Sequence, residues 1–419
     1  MMTRTDAGFE DEVSGFQTAY RHRPEVVVPA VGAEDVRRAV AFAAARDLPV
    51  AVQATGHGLS VPADGGMLVS TRRMTGIEID PERRVARVGA GVRAGALLEA
   101  AAAHGLAPLN GSSPSVGVVG YTLGGGVGVL GRSFGYAADH VRRVEIVTAD
   151  GVLREIGPGD ELFGVVLGSG GNFGVVTALE VDLFPVTSVL GGQLVFTEPL
   201  VGEVLRAWRE WTTSVPEEVT SSVTVVPTPS GRIASVRIAS LREHPAVVAP
   251  LRAVGEPVSD TVRVMPYVDS PSIHSDPDEP HAYRATNALL GELTGEAVEA
   301  VRALPGAVVD IRHLGGAMSR PGPAVIGHRR ASYAVRTITA PDDRHTHEVI
   351  GRALRPWTVG HNLAFLYGGA EEASAEQTRR GYEPELYRRL VELKERHDPR
   401  NLFRCNRNIA AVPGGVAAR

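Results

Sequence analysis

The sequence predicts an α+β protein whose two main regions differ in character. Residues 25–54 read as strand, helix and strand. Segments between there and about residue 188 then pair as hairpins around glycine-rich turns. From residue 189 strand-like segments alternate with helices of apolar spacing, the pattern of an antiparallel sheet covered by helices on one face.

Each element has its own signal. EVVVP (25–29) is a short β-branched run. AEDVRRAVAFAAAR (33–46) has apolar residues at helical spacing and acidic residues in its first turn. A strand over 49–54 follows. GIEID and RVARVGAGV alternate polar and apolar around Asp80-Pro81-Glu82, a hairpin signal. RAGALLEAAAAHG is a helix closed by Gly105. VEIVTADGVLREI is a hairpin turned at Asp150-Gly151, and GVVTALEVDLFPV is a strand. In the second region GGQLVF, SSVTVVP, RIASVRIAS, VVDIRHLGG and ASYAVRTITA read as strands and LVGEVLRAWREW as a helix. SPSIHSDPDEPHAY is polar and proline-rich, hence a loop. ELYRRLVELKERHDP is a charged helix stopped by proline.

Composition excludes several classes. With 43% hydrophobic and 22% charged residues and a net charge of -5, the chain has no basic tract for nucleic acid. No apolar run suits a bilayer, and the start MMTRTDAGFEDE lacks the apolar core of a secretory signal or membrane anchor. Cys405 is the only cysteine, so no internal disulfide forms. The expected location is the cytoplasm. The histidines include no H-E-x-x-H motif, and no third ligand accompanies His345 and His347, so no metal is expected. No G-x-S-x-G elbow points to a hydrolase.

Two glycine clusters carry the functional signal. Nine glycines fall between Gly111 and Gly135, and Gly126–Gly131 satisfies G-x-G-x-x-G. The dinucleotide reading of that motif needs a strand before it and a helix of about ten residues after it. Here glycines precede the motif and Gly135 interrupts any helix after it, so the motif does not argue for a nicotinamide cofactor. Such density instead suits backbone N–H groups lying close to a large anionic or planar ligand. Leu167–Thr177, LGSGGNFGVVT, repeats the logic. Upstream, Val50–Ser60 runs from a buried strand into a loop that holds one imidazole, His57, among small residues.

In order, VAVQATGHG, SVGVVGYTLGGGVGVLGRSFGYAADHV, VTADG, GSGGNFGVVT and HDPRNLFRCNRNI resemble the FAD-linked oxidases of the vanillyl-alcohol oxidase / p-cresol methylhydroxylase fold, most closely the berberine-bridge-enzyme-like branch. The resemblance spans about Arg23 to Ile409. It implies an FAD-binding domain of two α+β subdomains (1–188), a substrate domain with a large antiparallel sheet backed by helices (189–378), and a C-terminal segment completing the FAD domain (379–419). It further implies that His57 bonds covalently to the flavin 8α carbon, which requires a neutral imidazole. The flavin would lie against Gln53, Ala54, Thr55, Gly56, His57, Gly58, Ser113, Val116, Gly117, Gly120, Tyr121, Gly124, Gly126, Gly128, Gly171, Asn172, Gly174, Val176, Asn406 and Asn408.

Departures from the family pattern narrow these expectations. Gln53 stands where many members have arginine. Ser113 occupies the position of the second, cysteinyl anchor and cannot form a thioether, so one covalent link is expected. Val116, three places on, is the smaller option at the position the family uses to admit dioxygen, which implies an oxidase. The family's base, often a tyrosine, lies on a late strand that here reads Leu363–Gly369. It maps to Phe365, with Tyr367 two residues on.

Tyr367 is therefore the expected base, with Asp310 and His313 as alternatives. Alternation in VVDIRHLGG sets Asp310 and Arg312 on one strand face and Ile311 and His313 on the other, and one of these faces looks into the pocket. The expected substrate is a hydroxyl, phenol or amine of a small natural product, sugar or alkaloid. A flavin-binding cyclase or isomerase, or a flavin dehydrogenase with another acceptor, is the alternative. The oligomeric state is not legible.

Overall fold

The computed structural model describes residues 1–304, 306–368 and 373–410. Three sheets organise them. Val26–Pro29, Met67–Ser70 and Val50–Gln53 form a parallel three-stranded sheet with Met67–Ser70 in the middle. The connecting helix Ala33–Ala44 buries Val36, Ala39, Val40 and Ala43, the residues its apolar spacing singled out. A five-stranded antiparallel sheet runs Ile77–Asp80, Val85–Gly89, Val175–Asp182, Val141–Val147, Leu153–Ile156. Both expected hairpins lie in it, with Ile77 opposite Val88 and Val144 opposite Ile156.

The nine-stranded sheet contains Ser188–Thr197, Val219–Thr228, Gly231–Ser240, Arg284–Leu290, Val308–His313 and Tyr333–Thr339, with short strands at its margins. One face carries Leu194, Phe196, Val223, Val236, Ile311 and Val335, which share a core with helices Val201–Thr212, Gly295–Arg302 and Arg344–Leu354. That burial of apolar side chains is the main force holding the helices to the sheet. The other face is polar and bears Gln193, Arg237, Ser222, Thr224, Asp310, Arg312 and Arg336.

Helix Pro384–His397 returns to the first region. Its Leu390 and Leu393, with Leu402, Phe403 and Ile409 beyond it, join the core containing Val36, Val144 and Phe173. Val50 N–H donates to Leu402 O at 2.9 Å, which ties this segment to the first sheet.

Two local readings change. Leu363–Phe365 is a 3-10 turn rather than the start of a strand. The Asn362 side chain accepts from Ala364 N–H at 2.9 Å and caps it, while Asn287 Nδ2 donates to Asn362 O. Tyr367 then pairs with Ala285 in a single antiparallel bridge, and Gly369 lies outside the described residues. The loop 270–283 opens with the 3-10 turn Tyr267–Ile273. No helix among the described residues is long and apolar enough to cross a membrane.

Candidate active site

The His57 loop is shaped by close backbone approach. Gly56 has φ +72°, and a Cβ there would lie 2.5 Å from Gly15 Cα, so only glycine fits. Nδ1 of His57 is hydrogen-bonded to Thr55 Oγ1 at 3.0 Å and Nε2 to Ser115 Oγ at 3.2 Å. Ser115 in turn meets Ser113 Oγ at 2.9 Å. Burial, then the Arg93 charge and His281, push the imidazole pKa down to about 4, so it is neutral at pH 7. Gln53 lies against this loop: its Nε2 donates to Ser14 O at 2.9 Å and braces the N-terminal segment, while its Oε1 lies beside Gly56 and has no partner among the described residues.

The glycines of the first cluster divide in two. Gly111, Gly126 and Gly128 make room for Tyr121: a Cβ on them would meet its ring or hydroxyl at 3.2, 3.0 and 3.0 Å. Gly124 admits Ala364 of the second region, whose Cβ would stand 3.0 Å away. Glycine at these positions therefore permits close packing within the chain. Gly117 approaches Thr55 and Ala54, whereas Gly120 faces open space. The motif Gly126–Gly131 runs into a helix of only four residues, Gly131–Phe134, ended by Gly135 at φ +94°.

In the second cluster Asn172 is fully buried and acts as a clamp. Its Nδ2 donates to Ser169 O and Arg407 O, and its Oδ1 accepts from Ile409 N–H. Asn406 Nδ2 reaches Gly171 O at 3.2 Å. Gly174, with φ +158°, sits 2.6 Å (as a Cβ) from Val147 O, and Val176 is buried in the strand after it. Gly170 and Gly171 face open space.

Across from these loops stands the polar face of the large sheet. Arg312 Nε donates to Asp310 Oδ2 at 2.9 Å, and Arg336 and Arg237 approach the same carboxylate at 3.5 and 3.9 Å. Burial opposes ionisation of Asp310, but the three guanidinium groups outweigh it and hold the carboxyl well below the usual range. Such a carboxylate is a weak proton acceptor and a strong anchor for arginines. His313 lies on the opposite, helix-side face. It stacks on Tyr333, centroids 5.3 Å apart, and takes Arg132 Nη1 at 3.0 Å. It does not share the polar face with Asp310.

Tyr367 is buried and donates to Ala364 O at 2.9 Å, with the Tyr283 ring 5.2 Å away. Burial pushes its phenol upward, while Arg336, a hydrogen bond from Tyr283, and Arg312 oppose that rise. A file of rings joins the two ends of the site: His57 on Phe16, Phe16 against His281, His281 against Tyr283, Tyr283 against Tyr367.

Several buried polar atoms have no partner among the described residues: the Tyr121 hydroxyl, Ser169 Oγ, Asn406 Oδ1 and Asn408 Oδ1. Buried polar groups are rarely left so. Together with the open sides of Gly120, Gly170 and Gly171 they fit a large polar cofactor.

Residues 24–157 match the model of the FAD binding domain, and residues 376–410 that of the berberine and berberine-like segment. The (R)-6-hydroxynicotine oxidase of Paenarthrobacter nicotinovorans is 29% identical, over 96% of this chain and 95% of its own. An FAD-linked oxidoreductase of Dictyostelium discoideum is 26% identical over 93% and 89%. The crystal structure of 6-hydroxy-D-nicotine oxidase from Arthrobacter nicotinovorans superposes with TM-score 0.86 at 26% identity, covering 97% of each chain. This chain is an FAD-linked oxidoreductase with a berberine-like C-terminal segment. A xylooligosaccharide oxidase from Myceliophthora thermophila, TM-score 0.84 at 20% identity over 98% and 97%, shares its fold.

Within this oxidoreductase the structure gathers His57, Ser113, Tyr121 and the two glycine clusters on one side, and Tyr367 and Asp310 on the other. Val116 lines a mostly apolar cavity of about 30 Å3 with Asn110, Gly111 and Tyr121. Sequence reasoning passed over Phe16, His281, Tyr283, Arg237 and Arg336. For the two arginines a signal existed: each is a charged residue in the middle of a strand-like segment, RIASVRIAS and ASYAVRTITA. Phe16, His281 and Tyr283 stand in segments without periodicity.

Proposed function

We propose that this oxidoreductase is an oxidase that takes hydride from a carbon bearing a hydroxyl or amine, or from a phenol, in a small natural product, sugar or alkaloid. FAD would be bonded covalently through His57, with dioxygen as the electron acceptor. The observation that carries the reading is the neutral, ring-stacked His57 at one end of a file of rings with the Tyr283–Tyr367 pair at the other. Bound FAD supplies the hydride acceptor. The protein's own residues do the rest. His57, held between Thr55 and Ser115, presents an uncharged ring nitrogen for the single link, because Ser113 offers no thiol for a second. Asn172 and Asn406 fix the C-terminal segment against the glycine loop that lines the cofactor.

Tyr367 would accept the substrate proton, assisted by the positive charge of Arg336 and Arg312. The apolar cavity beside Val116 is large enough for a molecule the size of dioxygen. Relatives named as oxidases of 6-hydroxynicotine support the acceptor and the small-molecule substrate. The test is peroxide release by the purified yellow protein across alcohols, sugars, phenolics and amines, with anaerobic flavin reduction followed in parallel. Reduction without peroxide would indicate a dehydrogenase. Turnover of substrate without flavin reduction would indicate a cyclase or isomerase.

A further inference from the structure

Three arginines on the polar face of the large sheet are more than its carboxylates require. Arg237, Arg312 and Arg336 come from three different strands, and the antiparallel register sets Arg336 opposite Asp310, and Arg312 and Arg237 on either side of Ser222. Among the described residues Asp310 is the one carboxylate in direct contact with all three. Asp276, on the loop after the 3-10 turn, is the second acid close enough to interact with the charges of Arg312 and Arg237. His274 beside it is held neutral by burial. Three positive charges against two negative ones leave one unbalanced at the substrate side of the site.

The donors are also unspent. Each guanidinium offers five N–H groups. Among the described residues Arg312 donates only to Asp310, and Arg237 only to Thr224 Oγ1. Arg336 donates no hydrogen bond to any of them, meets Asp310 only at 3.5 Å, and lies over the Phe365 ring at 4.6 Å. It stands beside the Tyr283–Tyr367 pair, whose ionisation its charge influences. A desolvated arginine with its planar donors unsatisfied is a binding element for a planar anion.

We propose that the substrate of this enzyme carries a carboxylate, bound by Arg336 with Arg312 and Arg237, next to the tyrosine pair. The inference rests on the proposed flavin-enzyme function and narrows its substrate class. A single surplus charge suits a monoanion better than a phosphate dianion, and Asp310 already shows that the cluster accepts carboxylate geometry.

The test is a titration of the flavin-loaded protein with benzoate and phenylacetate, against benzamide and phenylacetamide as neutral isosteres, read as perturbation of the flavin absorbance. The acids should bind at least about tenfold more tightly than the amides. Arg336→Gln should remove that preference with flavin content unchanged, and Arg336→Lys should keep part of it. Asp310→Asn, which removes a competing carboxylate, should tighten acid binding. Equal response to acid and amide, or no response to either acid, overturns the proposal. So does weakening by Asp310→Asn to the same extent as by Arg336→Gln, since both changes would then only damage the packing. The titration needs bound flavin but no turnover. A protein that prefers acids yet forms no peroxide overturns the oxidase reading alone, and a peroxide-forming protein indifferent to charge overturns this inference alone.

Discussion

The imidazole of His57 lies flat on the ring of Phe16, centroids 3.9 Å apart and 11° between the planes. Phe16 belongs to the N-terminal segment, whose Phe16 and Gln17 N–H groups donate to Thr55 O and Gly56 O. The stack fixes the plane of the imidazole, and the hydroxyls of Thr55 and Ser115 fix its rotation within that plane. An imidazole with both degrees of freedom removed is held in one orientation.

If His57 carries the flavin, acid-precipitated protein stays yellow and fluoresces on a denaturing gel, and His57→Ala releases all its flavin to the supernatant. Phe16→Leu should lower the covalently held fraction while total flavin bound at neutral pH changes little. Flavin that washes out of the wild-type pellet would rule the link out.

Tyr367→Phe should slow anaerobic flavin reduction by about a hundredfold or more, as loss of a general base does, with flavin content unchanged. Because burial raises the Tyr367 phenol, its deprotonated form gains as pH rises. Wild-type reduction should therefore accelerate through the alkaline range and the variant should be flat. A rate unaffected by the substitution would remove Tyr367 as base.

Val116→Leu fills the cavity beside Asn110 and Tyr121. Reoxidation of the photoreduced protein by dissolved oxygen should slow markedly in this variant, while reduction by substrate is retained. Equal reoxidation rates would leave the oxidase reading but take Val116 out of it.

Lys394 is 3% exposed, and its ammonium donates to Asp398 Oδ2 at 2.7 Å, to Asn172 O and to Phe403 O. Lys394→Met leaves the Asp398 carboxylate buried without its cation, and the expected loss is about 3–5 kcal/mol in denaturant unfolding. Adding Asp398→Asn should recover part of it. A single variant as stable as wild type would show the pair to be dispensable.

His22 accepts Ala63 N–H at its Nδ1 and is 4% exposed; burial, opposed by Gln53, pushes its pKa down to about 4 from the usual 6.5. The folded state keeps it neutral where the unfolded chain would protonate it. Stability is thus fully present above about pH 6.5 and falls as pH drops toward 4, by about 3 kcal/mol for this group. Thermal melts should show that loss, and His22→Gln should reduce its slope. A melting temperature independent of pH across this window would contradict the burial.

The cofactor side was largely legible from residue order because its chemistry is local. The turn that lifts His57 out of its strand depends on Gly56, a few bonds away. Asn172 and the glycines that precede it form one continuous loop, and the helix 384–397 announces itself by spacing. The substrate side was legible only in part. Alternation said that Asp310 and His313 point to opposite faces, but a strand's period is symmetric with respect to which face is buried. The choice came from packing: Ile311, Val309 and Val335 meet the helices, so Asp310 and Arg312 are left on the other face.

Residue types and their order were enough for the α+β class and for the FAD-binding and berberine-like segments, since these rest on patterns set within a few residues. Tertiary structure alone brought Phe16 under His57, turned Leu363–Phe365 into a capped 3-10 turn through Asn287, and set three arginines from separate strands around Asp310. Those contacts join residues far apart in the chain. Their free energy comes from burying surfaces and charges against one another, and no local pattern records which surfaces meet.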